Sequence, residues 1–204
     1  MLIPLKQLVE KYSVQFKGIL HVGAHECEEI YDYDLYLPRN NVLWIDALQD
    51  KVELSKLRFP DIFIEHAVIS DKYETVTFHR SNNGQSSSIL ELGLHKHYHP
   101  HISYIDSYQI EATPLKDIIC KYDIPYNFIN LDIQGAELKA LKGMEQYLDT
   151  IDYIYTEVNS HYVYENCALI TEIDAYLLTF GFHRVETCWC EDFKWGDAFY
   201  IRIK

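Results

Sequence analysis

"GILHVGAHECEEIYDY", residues 18–33, decides the fold. A short apolar run ends in a single tight Gly23-Ala24. The chain then fills with Glu26, Glu28, Glu29 and Asp32, with Asp34 just beyond. An apolar run closed by a glycine turn predicts the first strand, turn and helix of a nucleotide-binding fold. Such turns usually serve phosphate, and carboxylates repel phosphate. The charge of this turn is therefore the first question about function.

Outward from it, strands and helices alternate. "NVLWID" (41–46) and "IFIEHAVIS" (62–70) read as buried strands, and "ETVTFHR" (74–80) as a further one. Residues 4–12 read as a short amphipathic helix opened by Pro4. The polar stretch 81–88 reads as a loop, and 95–106 as an irregular excursion. Order resumes at "YQIEA" (108–112), and "TPLKDIICKY" (113–122) predicts a helix with Thr113 as N-cap and Pro114 at its first position. "YNFINLDI" (126–133) is a strand, "GAELKALKGMEQYL" (135–148) a helix with Leu138, Leu141, Met144 and Leu148 on one stripe, and "DYIYTEV" (152–158) a strand. A helix over 168–182 stops at Gly181, and "HRVETCWC" and "DAFYIRI" form a closing hairpin. The pattern predicts an α/β fold: a Rossmann-like, doubly wound, mostly parallel sheet with a C-terminal antiparallel hairpin. No linker or repeat interrupts it, and 204 residues suit a single domain, 1–204.

A formal charge of −13 disfavours nucleic acid as a partner. No apolar run approaches the length of a membrane span, and Met1-Leu2-Ile3-Pro4 lacks the pattern of a signal peptide. Five scattered cysteines, an odd number, predict reduced thiols and a cytoplasmic setting. Cys188-x-Cys190 has no second pair at zinc spacing, so it reads as two packed thiols.

A dinucleotide turn carries two further glycines, but here His25, Glu26 and Cys27 follow. S-adenosylmethionine reverses the charge argument. It carries a sulfonium, an ammonium and a carboxylate but no phosphate, needs one glycine for close approach, and tolerates acidic neighbours. Asp46 lies 23 residues beyond Gly23 at a strand end, near the spacing of about 20 at which an acid receives ribose hydroxyls. The turn therefore predicts S-adenosylmethionine, and a nicotinamide dehydrogenase is disfavoured. Glu28 and Glu29 read as a solvated helix face complementing the helix dipole.

"HVGAHECEE", "WIDA", "AVISD", "SSSIL", "LDIQGAELKALKG", "TEVN" and "WGDAFY" occur in order. Together they resemble the FkbM-type methyltransferases, a branch of the class I S-adenosylmethionine-dependent enzymes. The resemblance covers residues 18–203, and the block at 131–143 is its most specific part. It implies that Gly23, Ala24 and His25 wrap the methionine part of the cofactor and that Asp46 holds the ribose. It implies further that Ala67 and Val68 frame the adenine and that Asp132 and Gln134 stand beside the reactive methyl. His21 and Gln134 are departures, since the family often has acidic residues at both positions.

Methyl transfer to an alcohol needs an aligned acceptor and help in losing a proton, from a base or a metal. Asp132 and Glu157, at neighbouring strand ends, could share a proton, bind a diol or hold Mg²⁺. His161, beyond the second, is a candidate base. Glu137, in the first turn of its helix, is either functional or a dipole partner. In "HKHYHPH", His95, His97, His99 and His101 would share a face if extended, but they read as a loop or lid over an acceptor pocket, and no metal ligands are assigned. Ser86–Ser88 could offer hydroxyls. The expected function is an O-methyltransferase acting on a hydroxyl, with the sugar or glycan acceptor implied by the resemblance. The alternatives are another small molecule, an RNA cap, or a non-catalytic cofactor-binding module.

Overall fold

The computed structural model describes residues 1–203. The central sheet comprises β1 (Ile19–Val22), β2 (Val42–Asp46), β3 (Phe63–His66), β7 (Phe128–Leu131), β8 (Tyr153–Asn159), β9 (Phe182–Cys190) and β10 (Trp195–Arg202). Their spatial order is β3-β2-β1-β7-β8-β10-β9, parallel except for β10, which lies antiparallel between β8 and β9. The closing hairpin thus inserts its second strand against β8. Chain order reverses between β1 and β7, so the crevice beyond their carboxyl ends is the place for a ligand.

The inner strands are buried on both faces, which is why they read as unbroken apolar runs. Alternate residues feed two cores. Trp44, Ile19, Phe128 and Tyr155 pack under α1 (Leu5–Tyr12), α2 (Ile30–Tyr33) and α3 (Gln49–Arg58). Leu20, Ile45, Ile129 and Ile154 pack under α5 (Lys116–Ile119), α6 (Glu137–Lys142) and α7 (Ile170–Leu178).

Several expectations are corrected. The stretch 62–70 is two strands: β3 joins the main sheet, and β4 (Val68–Ser70) joins a second sheet of order β4-β6-β5 with β5 (Glu74–Ser81) and β6 (Tyr104–Pro114). The chain changes sheets at Ala67, whose N–H is taken by the Asp46 carbonyl at 3.0 Å. Thr113 and Pro114 do not open a helix. They end β6, opposite Ile69 and Ser70, at a strand terminus where proline is tolerated. The helix expected over 135–148 stops at Lys142, because Gly143 packs against the Ser70 carbonyl and Glu145 has φ 50°. No helix follows Gly23 directly: residues 25–29 are turns, and α2 starts only at Ile30. The 95–106 excursion contains the short helix α4 (His95–Tyr98), so its histidines are not an extended row.

Candidate active site

Gly23 has φ +91°, and a Cβ there would lie 1.7 Å from the Asp132 carbonyl oxygen. Only glycine lets the first turn come this close to the end of β7. Beyond it a cavity of about 580 Å³ opens at the carboxyl edge, well within the size range of small-molecule sites. Gly23, His25, Asp46, Ala67, Val68, Asp132, Gln134 and Glu157 all line it. Ala24 is buried beneath, its N–H donating to the Ile45 carbonyl at 3.0 Å.

Asp46 is fixed by two backbone donors: His25 N–H at 2.6 Å on Oδ2 and Leu48 N–H at 2.7 Å on Oδ1. Burial raises its pKa, and the two donors oppose the rise. Each oxygen keeps a lone pair for a further donor. His25, with φ 42°, hydrogen-bonds Glu28 through Nδ1 at 2.7 Å, while its buried Nε2 abuts Gly84 without a partner.

Asp132 follows β7 in the register position beside Glu157 on β8, and Asp197 on β10 lies opposite Glu157. Three carboxylates thus span three adjacent strands on one face. Gln134 joins two of them: its Nε2 donates to Asp132 Oδ1 at 2.6 Å and to Glu157 Oε2 at 3.0 Å. Its Oε1 accepts the Tyr164 hydroxyl, and its carbonyl accepts Ser88 Oγ at 2.8 Å. Gln134 adopts φ 57°, followed by Gly135 at φ +99°, a left-handed pair that turns the amide back over the strand ends. Asp197 accepts the Tyr155 hydroxyl and the Leu2 N–H.

Enclosure pushes Asp132 up to about 6, with the Asp197 charge adding to it. The accessible surface of Asp132 faces a recess walled by protein, which reconciles its exposure with this rise. Burial and the Asp132 charge hold Glu157 well above the usual carboxylate range. Glu137 is a structural acid: its Oε1 accepts the Ile133 and Gly135 N–H groups, each at 3.0 Å, and burial lifts it to about 7.

That shift gives a stability test. The folded state holds the Glu137 proton more tightly than the unfolded chain, whose glutamates titrate near about 4.3, so this contribution is present at low pH and lost as pH rises through about 7. Glu137→Gln keeps both accepted hydrogen bonds and cannot ionise. Its melting temperature relative to the parent should increase steadily from pH 5 to pH 8. A difference that stays flat, or shrinks, would show that Glu137 is not held protonated.

Other sequence candidates are placed differently. His161 is exposed, its Nδ1 lies beside Ser160 Oγ at 3.1 Å, and it does not line the cavity, so the structure gives it no part as a base. Glu28 and Glu29 border the cavity from the turns just before α2, Glu28 exposed and Glu29 partly buried, rather than from a helix face. Among the described residues no group of three or more His, Cys, Asp and Glu is arranged to hold a metal ion, and the Mg²⁺ option gains no support. Cys188 and Cys190 are free thiols on β9.

Sequence reasoning missed Tyr164 and Asp197 as lining residues, whereas His95, with His99 and His101, lines the cavity from the run read as a loop or lid over the acceptor pocket. His95 is buried, its Nδ1 has no partner, and burial with the neighbouring His99 and His101 lowers it to about 4. Its ring meets Tyr164 at 5.3 Å, in the wall beside the Gln134 bridge. The histidine-rich run was the available signal, and Asp197 lies in the quoted "WGDAFY".

The sequence profile of the methyltransferase FkbM domain matches residues 21–184, most of the chain. The chain belongs to the FkbM methyltransferase family. Its activity is S-adenosylmethionine-dependent methyl transfer. Solved structures share the fold. Magnesium protoporphyrin IX methyltransferase from Synechocystis PCC 6803, with bound S-adenosylmethionine, aligns with TM-score 0.54 at 9% identity, over 97% of this chain and 76% of that one. A ribosomal-protein methylase from Lactobacillus delbrueckii subsp. bulgaricus aligns with TM-score 0.55 at 11% identity, over 98% and 76%. TrmK of M. capricolum, in complex with S-adenosylhomocysteine, aligns with TM-score 0.51 at 10% identity, over 99% and 69%. These likenesses establish a class I methyltransferase fold and leave the acceptor open. No curated protein matches the sequence. No helix among the described residues is long and apolar enough to cross a membrane.

Proposed function

We propose that this FkbM methyltransferase is an O-methyltransferase whose acceptor is an uncharged hydroxyl, of a sugar or glycan, and that residues 1–204 work as one domain. The cavity fits the cofactor: a glycine cradle that a Cβ would fill, a fixed carboxylate at Asp46, and no built phosphate site. In this reading Gly23, Ala24 and His25 surround the methionine part, Asp46 receives the ribose hydroxyls, and Ala67 and Val68 border the adenine. Asp132 and Gln134 stand beside the methyl. Five free cysteines suit a reducing, cytoplasmic setting.

The observation that carries the reading is the Asp132–Gln134–Glu157 bridge. Bound in the cavity, S-adenosylmethionine supplies a methyl group on a positively charged sulfur. Gln134 occupies Asp132 Oδ1 and Glu157 Oε2, leaving Asp132 Oδ2 and Glu157 Oε1 for the acceptor. Asp132 is pushed up to about 6 and Glu157 well above the usual carboxylate range, so of these two neighbouring carboxyls Glu157 holds a proton the more tightly. Glu157 would donate to and orient the acceptor, and Asp132 Oδ2 would take the hydroxyl proton as the methyl group passes from sulfur to the acceptor oxygen and neutral S-adenosylhomocysteine is left. The described residues that line the cavity include carboxylates and no Lys or Arg side chain. That lining favours a neutral acceptor over a phosphorylated one or an RNA.

The test uses methyl-labelled cofactor with matched acceptors: neutral sugars and oligosaccharides, their phosphate esters, and RNA. Label should enter the neutral members only. Label confined to phosphorylated acceptors or RNA would overturn the reading. No label anywhere, with cofactor binding intact, would overturn the neutral sugar or glycan as acceptor.

A further inference from the structure

Most of the acidic flank that follows the first turn is already paired. Glu26 is held by Lys51 at 2.5 Å and Arg58 at 3.0 Å, away from the cavity. Glu28 is held by His25 at 2.7 Å, and Asp34 by Arg39 at 2.8 Å. Glu29 differs. Among the described residues it has no Lys or Arg partner, and it borders the cavity with a fifth of its side chain exposed. Its Oε2 lies 4.0 Å from His21 Nε2, and its Oε1 lies 3.4 Å from the Met1 amino nitrogen.

The residue behind Glu29 is neutral and oriented. Asn130 Nδ2 donates to the Tyr33 hydroxyl oxygen at 3.0 Å, so the Tyr33 proton goes to His21 Nδ1, also at 3.0 Å. His21 therefore carries its hydrogen on Nε2, which faces the Gly23 carbonyl and Glu29. His21 is buried, stacked on Trp44 at 4.7 Å, and burial lowers its pKa. A neutral N–H can steer the Glu29 carboxylate but cannot cancel its charge. Among the described residues the cation on this carboxylate is the Met1 ammonium at Oε1, which also lines the cavity, so an ammonium is the kind of group that Glu29 takes beside the Gly23 turn.

We infer that Glu29 binds the ammonium group of the cofactor's methionine part. The inference rests on the proposed placement of that part at Gly23–His25. It also accounts for an acidic turn: one carboxylate serves the cofactor, while most of its neighbours tie the turn to α3 and to His25.

Two ligands separate this role from a structural one. S-adenosylhomocysteine carries the ammonium, whereas 5′-methylthioadenosine has the same adenosine thioether without the amino acid. By calorimetry, Glu29→Gln should weaken S-adenosylhomocysteine by about 10- to 100-fold, the range of a lost charged hydrogen bond, and leave 5′-methylthioadenosine unchanged. Glu29→Asp, which keeps the charge, should lose less. Glu26→Gln should change neither ligand. Unchanged S-adenosylhomocysteine affinity in Glu29→Gln, or equal weakening of both ligands, would overturn the assignment. A parent protein that binds both ligands equally would instead refute the placement of the methionine part, and the inference with it.

Discussion

Asp132→Asn should lower turnover by about 10²- to 10⁴-fold, the usual weight of a general base, without changing affinity for S-adenosylhomocysteine. The substitution preserves shape: the new side-chain amide still offers its Oδ1 to the Gln134 amide, so the bridge to Glu157 need not move. What disappears is the charge that receives the acceptor's proton. In the parent enzyme a chelator should leave turnover unchanged, because the Gln134 N–H groups already hold the oxygens that a shared cation would have to bridge. Full activity in Asp132→Asn would remove that residue from the chemistry and move attention to Glu157 and the neutral His95. Loss of turnover with chelator and its return with Mg²⁺ would show that the carboxylates serve a metal instead.

Gly23→Ala should be the most damaging single substitution in the cofactor turn, destabilising the fold by about 3–5 kcal/mol through a strained backbone and an overfilled contact. The added Cβ would meet backbone rather than a side chain that could swing aside: the Asp132 carbonyl oxygen, 1.7 Å away. Relief requires β1 and β7 to separate where Asp132 N–H donates to the Val22 carbonyl at 2.9 Å. Chemical denaturation should report the loss, and any residual folded protein should bind cofactor poorly. A variant as stable as the parent would show that the turn relaxes easily and that the glycine is not needed for close approach.

Much of the architecture was legible because parallel strands buried on both faces leave unmistakable apolar runs, and because a glycine turn and strand-end acids mark the carboxyl edge. The bend at Ala67 was not legible. Both halves of 62–70 are equally apolar, and only pairing partners more than forty residues away assign Val68–Ser70 to another sheet. Thr113-Pro114 carried a sound helix-start signal that strand pairing overrode. At the site, Asp46, Asp132 and Glu157 followed from their positions at strand ends. His161, also near a strand end, did not reach the cavity, because the chain turns outward after Asn159. Asp197 could not be read locally, since its place beside Glu157 depends on β10 entering between β8 and β9. Gln134 read as a lost carboxylate. Its left-handed backbone makes it the amide that lets two remaining carboxylates face one another.

A crystal structure with S-adenosylhomocysteine is the most direct test. The ribose hydroxyls should lie on Asp46, the adenine beside Ala67 and Val68, and the sulfur should face the Asp132–Gln134–Glu157 bridge with open cavity on its far side for a neutral acceptor. A ligand bound elsewhere, or one whose sulfur is turned away from that bridge, would contradict both the cofactor placement and the assignment of Asp132 as the base.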